Sequence, residues 1–104
     1  GMLVTAYAPL VQERSTKSAL EILRQTYRND PFVVVTDAPP SAKDPLGSNL
    51  AILSVVVDER TGTLIALSAI DNLCKGAAGQ ALQAFNVACG YDEVLGLPLT
   101  AVSP

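Results

Sequence analysis

An α+β fold, with a mixed and mainly antiparallel sheet carrying helices on one face, is what this sequence predicts. Three observations lead there. Strand-like apolar runs outnumber helical stretches, in the order β-α-β-β-β-α. The runs at 48–58 and 63–70 are joined only by Glu59-Arg60-Thr61-Gly62, the short polar turn of an antiparallel hairpin. With 104 residues, 49% of them apolar, the chain has material for one domain around one modest core.

Each element has its own signal. Residues 2–8, "MLVTAYA", are short, apolar and β-rich, and Pro9 follows them. A strand with no lead-in reads as a chain entered partway, and Gly1 ahead of Met2 reads as an expression remnant, so the domain is taken as 2–104. Residues 15–28 form a helix. Ala19, Ile22, Leu23, Thr26 and Tyr27 share one face at 3.6 periodicity with Leu20 at its edge, and Lys17, Glu21, Arg24 and Arg28 hold the opposite face. Ser18 with Glu21 fits a capping box, and Ser15 competes as the N-cap. Pro31 disfavours helical backbone at Asp30 and ends the element. Residues 32–36, "FVVVT", are a strand, and 37–47, with three prolines, are a loop. The strand 48–58 is apolar on both faces, so both faces are expected to be covered. After strand 63–70 a helix runs from 71 to about Cys89, with Gly90 placed to end it. The tail from Tyr91 is irregular.

Composition excludes several functions. Net charge is −3 with the basic residues scattered, which argues against a nucleic-acid partner. No uncharged apolar run reaches the roughly 18–20 residues of a membrane span, and no basic leader precedes an apolar segment. Two cysteines without paired spacing fit a reducing cytoplasm. Charged residues make up 16%, where about 25% is usual. A small domain needs more polar surface than average, so part of this surface is expected to be buried against a second copy or another domain. The chain has no histidine, so a Ser-His-Asp triad, a Cys-His pair and any histidine-containing metal site are absent from it. Neither the dinucleotide nor the P-loop glycine fingerprint occurs, and Asp58 and Glu59 beside a turn read as solvated charges.

The helix "DNLCKGAAGQALQ" (71–83) is unusual because Gly76 and Gly79 each cost it about 1 kcal/mol relative to Ala. At 100° per residue, Asn72, Lys75, Gly76, Gly79, Gln83 and Asn86 fall in one arc. Leu73, Cys74, Ala77, Ala78, Ala81, Leu82, Phe85, Ala88 and Cys89 fall in the other. Both cysteines thus lie in the apolar stripe, where core packing is the plain expectation. They stand more than ~20 Å apart along a helix, beyond the ~7 Å Cα limit of a disulfide. Glycines and amides on the polar arc allow a backbone or a flat ligand to approach closely. Another segment of the same chain would satisfy that arc equally well.

These residues carry a resemblance. "SAIDNLCKGAAGQALQAFNVACGYDEVLGL" (68–97) resembles the C-terminal segment of N-acetyl-gamma-glutamyl-phosphate reductases, and "GSN" (47–49), "YRNDPFVVV" (27–35) and "MLVTAYAPL" (2–10) fit as well. The resemblance implies a C-terminal domain like that of glyceraldehyde-3-phosphate dehydrogenase-type enzymes, which binds substrate and builds the oligomer. It implies an NADP-dependent oxidoreductase that reduces an acyl phosphate to a semialdehyde in arginine biosynthesis. The cysteine nucleophile, the histidine and the Rossmann domain of that family have no counterpart in these residues, so no catalytic residue and no metal site is assigned. Cys74 is not the displaced nucleophile, and the chain alone is expected to be inactive. By resemblance Asn72, Gly76 and Gly79 are cofactor-binding when a nucleotide domain is present, Asn72 near the nicotinamide carboxamide. Ser48 and Asn49 are candidates on the substrate side, against a plain role in side-chain–backbone bonds at a strand start. Lys75 is either solvated or phosphate-facing. The expected partners are a second copy, in a homo-oligomer, and possibly a separate nucleotide-binding chain; the arc of Asn72, Gly76, Gly79 and Gln83 is expected to be covered by that copy or by a displaced helix. A stand-alone oligomerisation or regulatory module that pairs with full-length subunits is the alternative.

Overall fold

The computed structural model describes residues 1–102; the last two residues of the irregular tail lie outside the described residues. The elements are β1 (Met2–Pro9), α1 (Thr16–Tyr27), β2 (Val33–Val35), β3 (Ala51–Asp58), β4 (Thr63–Ile70), a π-helical turn (Cys74–Ala78) and α2 (Gly79–Ala88). They build one four-stranded sheet in the order β1-β4-β3-β2. β4 lies antiparallel to both β1 and β3, pairing Ile70 with Met2 and with Ala51, while β2 runs parallel to β3. The architecture is α+β with a mixed, mainly antiparallel sheet, as the sequence predicts. The β3–β4 hairpin turns at Gly62, whose φ of +66° lies in the left-handed region that favours glycine.

The register sorts the side chains by face. Val55 and Val57 of β3 point toward α1, where they form the core with Ala19 and Leu20. Leu10, Leu23, Val35 and Leu64 close around that cluster. The cross-strand neighbours Val4, Ala6, Ala66, Ser68 and Leu53 share this face. The far face carries Leu3, Tyr7, Leu67, Val56 and Val34. Where β2 has ended, the Val57 N–H would lack a ladder partner; it donates to Thr16 Oγ1 at 3.0 Å, which ties the start of α1 to the sheet.

Three local expectations are corrected. Ser15, not Ser18, is the N-cap of α1: its backbone is extended (φ −85°, ψ 160°) and its side chain accepts from the Ser18 N–H. Ile22 is half-exposed at 47%, because α1 meets the sheet along its Ala19–Leu20–Leu23 line, one position round from the centre of the predicted stripe. The strand expected from residue 48 begins at Ala51. Ser48 Oγ donates to the Pro45 carbonyl and accepts from the Leu50 N–H, and these local bonds replace ladder bonds.

The N-cap gives a direct test. Ser15→Ala should cost about 1 kcal/mol of stability in urea titrations, with an unchanged dependence on denaturant.

Candidate functional site

The link from β4 into the last helix is organised by Asp71, a carboxylate only 8% exposed. Its Oδ1 accepts from the N–H groups of Leu73 and Cys74 at 2.8 and 2.9 Å, capping the helix start. Its Oδ2 accepts from the Gly47 N–H at 2.8 Å, so the same side chain clamps the loop ahead of β3. Gly47 sits at φ +72°, and a side chain there would meet Val102. The backbone N–H groups of Gly47, then Cys74 and Leu73, hold the Asp71 carboxyl below its ordinary value.

Beyond Asp71 the helix opens into a π turn. Gly76 and Ala78 N–H donate to the carbonyls five residues back, Asp71 and Leu73, and Gly79 N–H donates to Cys74. The wider turn shifts the helical phase and splits the arc that uniform 100° spacing draws as one. Asn72 and Gly76 are exposed, whereas Gly79 and Asn86 are buried and Gln83 is half-buried.

The inward half of the arc is satisfied by the chain itself. Asn49, fully buried, donates its amide to Gln83 Oε1 at 3.0 Å. Lys75 Nζ donates to the same oxygen at 2.6 Å and lies 5.3 Å from the centre of the buried Phe32 ring. Gln83 in turn donates to Glu93 at 2.8 Å, and Asn86 donates to the carbonyls of Glu93 and Leu95. Burial pulls the Lys75 ammonium below its usual value, with Glu93 opposing it. The expected cover by a second copy or a displaced helix is therefore corrected for Gly79 and Gln83. Asn49, Lys75 and the 93–95 segment fill that role, because the amides find donors and acceptors within the fold.

Both glycines are explained by proximity, to different degrees. A Cβ on Gly79 would overlap Asn49 Oδ1 and stand 2.7 Å from the Cys74 carbonyl oxygen. Asn49 Oδ1, aimed at this point, is buried without a hydrogen-bond partner. A Cβ on Gly76 would meet the Asn72 side chain at 3.2 Å and otherwise make ordinary contacts at 3.5 Å with the Asp71 carbonyl oxygen and Ile70 Cδ1.

The predicted apolar stripe is also corrected. Leu73 is 79% exposed and Phe85 55%, and Leu82, Val87, Tyr91 and Leu95 are exposed as well. Cys89 is exposed rather than packed in a core, and Cys74 is half-buried. Burial pushes the Cys74 thiol up, and the Asp71 carboxylate adds to that. The helix thus presents its amides inward and its hydrophobes outward, the reverse of a surface helix in a self-contained domain.

Of the predicted site residues, Asn49 and Gly79 are brought into contact, and Asn72, about two turns before Gly79, is exposed on the outer side. Ser48 is buried with its hydroxyl committed to backbone. Asp71, Gly47 and Glu93 were not singled out from sequence; the visible signal was an Asp directly ahead of a helical run, which is N-cap chemistry. Among the described residues no group of His, Cys, Asp or Glu side chains could hold a metal ion. No helix among them is long and apolar enough to cross a membrane.

Two outcomes check this arrangement. Gly79→Ala should destabilise by about 1–3 kcal/mol through overpacking, and Gly76→Ala by clearly less, in paired denaturant titrations. Asp71 contributes stability above the ordinary carboxyl value of 3.8, lost as pH falls through its lower folded value. Acid unfolding of Asp71→Asn should accordingly lose that pH-dependent component, read by circular dichroism between about pH 5 and 2.

Comparison with known proteins agrees with the resemblance in sequence. A family model described as "Semialdehyde dehydrogenase, dimerisation domain" matches residues 1–72. Over 104 residues the chain is 45% identical to an N-acetyl-gamma-glutamyl-phosphate reductase of Dehalococcoides mccartyi. The reductases of Oceanobacillus iheyensis and Geobacter sulfurreducens are 43% and 44% identical over 106 residues. All of this chain aligns, but it spans only 30–31% of the length of these relatives, at their C-terminal end. Matched by that model through the whole sheet and α1, the chain belongs to the semialdehyde dehydrogenase dimerisation-domain family.

Proposed function

We propose that this chain is the C-terminal domain of an NADP-dependent reductase that converts N-acetyl-gamma-glutamyl phosphate to its semialdehyde in arginine biosynthesis, in the cytoplasm. The single observation that carries the proposal is 45% identity along the whole chain to reductases of that name. The 104 residues contain no histidine, and burial with the Asp71 carboxylate holds the Cys74 thiol in its protonated form rather than activating it, so this chain alone does not catalyse hydride transfer. Bound NADPH would supply the hydride.

The chain's own residues take supporting roles. Asn72 carries an exposed amide able to donate and accept, which suits a carboxamide partner, and Gly76 beside it leaves room for close approach. Gly79 contributes from behind, by letting Asn49 lie against the helix. Ser48 and Asn49 hold the loop on the substrate side in shape rather than touching substrate. The outward stripe of Leu73, Leu82 and Phe85 supports docking onto the nucleotide-binding part, in the same polypeptide or in a separate chain.

Assembly with a second copy belongs to this reading, since the matched family is a dimerisation domain. The same match favours a second reading, in which the chain is an oligomerisation or regulatory module that pairs with full-length subunits.

The first reading is tested by fusing the N-terminal 70% of the Dehalococcoides mccartyi reductase ahead of Met2. NADPH-dependent reduction is expected from the fusion and none from the 104-residue chain. Activity of the chain alone, or an inactive but folded fusion, would count against the proposal. In the fusion, Asn72→Ala should raise KM for NADPH at least tenfold with little change in thermal stability.

A further inference from the structure

Asn72 combines a fixed backbone with a free side chain. It is enclosed by a turn in which Asp71 Oδ1 accepts from the Leu73 and Cys74 N–H groups at 2.8 and 2.9 Å. The Asp71 carbonyl accepts from the Gly76 N–H at 2.9 Å and closes a wider ring around the same residue. On the other side, Ile70 pairs with both Met2 and Ala51, so the sheet fixes the backbone that leads into the turn. None of these bonds uses the Asn72 amide, which is exposed with Oδ1 directed over Gly76.

The turn is built on a carboxylate, although asparagine and serine cap helices as well as aspartate does. A buried carboxylate is costly unless it is paired. Asp71 is 8% exposed, and neither salt bridge among the described residues involves it. What the carboxylate adds is a second acceptor oxygen, and Oδ2 uses it on the Gly47 N–H. The turn is thereby tied to the 45–49 loop, which is itself held to the tail by bonds from the Asn49 N–H to Pro98 and from the Val102 N–H to Leu46. A side chain anchored at three N–H groups from two segments keeps the turn in one position. That position adjoins the start of β1, the strand into which the preceding part of the longer relatives leads.

We propose that Asp71 is a positioning residue for the nicotinamide cofactor: it presents the Asn72 amide in a fixed orientation, so that cofactor binding does not have to order the turn. The proposal rests on the reading that Asn72 meets NADP in a longer reductase. Asp71 is turned inward and acts only through its neighbour.

The test compares Asp71→Ala, Asp71→Asn, Asn72→Ala and the double variant Asp71→Ala/Asn72→Ala in the fusion with the N-terminal part of the Dehalococcoides mccartyi reductase. Each is assayed below its melting temperature, with NADPH binding also titrated by nicotinamide fluorescence. Asp71→Ala should raise KM for NADPH at least about fivefold and leave kcat within about twofold. The double variant should bind NADPH within about twofold of Asn72→Ala, because nothing is left to position. Asp71→Asn keeps an oxygen for Leu73 and Cys74 but loses the Gly47 acceptor, so it should melt lower than the parent and still restore KM to within about threefold of it. Should Asp71→Ala not fold, Asp71→Glu keeps the charge, displaces the acceptor by one methylene and should raise KM likewise. Lower stability with unchanged KM in Asp71→Ala or Asp71→Glu, or effects that multiply in the double variant, overturns the positioning role and leaves the functional reading standing. An active fusion in which Asn72→Ala leaves KM unchanged overturns the cofactor contact and the positioning role together. A folded but inactive fusion counts against the functional reading, and the fluorescence titration then decides the positioning role: weakened binding in Asp71→Ala that Asp71→Asn restores supports it, and equal binding by all variants overturns it.

Discussion

The last third of the molecule depends on one buried side chain, Asn49. It has no contact with water, and its amide group must be met from within. Gln83 meets the donor, and the glycine at 79 lets the oxygen lie flat against helix backbone. Gln83 can accept this bond because Lys75 and Glu93 fix its own orientation. A chain of polar groups thus runs from the loop ahead of β3 through the helix to the tail, satisfied at its donors, while Asn49 Oδ1 stays buried without a hydrogen-bond partner. Asp71 closes the other end by holding Gly47 and the helix start together. With its polar side engaged in this way, the helix has only its apolar side left to turn outward.

That outcome alters what the low charge content means. A shortage of charge is a statement about total surface, and it does not say where the uncovered apolar area lies. The structure distributes it over three regions: the half-covered face beside α1, the far face of the sheet with Leu3, Tyr7 and Val34, and the outward flank of the last helix. Separate apolar surfaces of this kind are the geometry of a part built to be enclosed on several sides. β1 adds to the picture, since all eight of its residues are exposed and none is charged. An edge strand left in that state lacks the charges that keep sheet edges from pairing with other chains, and only Pro9 at its end blunts it.

Much of the fold was legible because period and punctuation agree. The hairpin was readable from Asp58 to Thr63 because the turn residues and the flanking apolar runs point to the same register. The helix from Thr16 was readable, although its contact line lies one position away from the centre of the apolar stripe, because tertiary packing decides which edge of a broad stripe meets the sheet. The start of β3 was misplaced by three residues: side-chain–backbone bonds at Ser48 were an expected alternative, but the sequence does not show that they hold Ser48 and Asn49 out of the ladder. In the candidate site, the unusual residues were visible as unusual, but their direction was not. Hydrophobic periodicity assumes that the apolar side faces the core of the same chain, and here the polar side does.

The π turn at Cys74–Ala78 has a consequence for how length variation is tolerated. An α-helix advances about 100° per residue, so the extra residue held in that turn acts as a phase offset between the Asn72 side and the Gly79–Asn86 side. Removing one residue there would let the turn close to α geometry and rotate everything after it by about that angle. Gln83 would leave Asn49, and the apolar flank would swing toward the sheet. The offset therefore works as a fixed gear between two surfaces, and a one-residue change in this short segment would do more to the molecule than a longer insertion in the 37–47 loop.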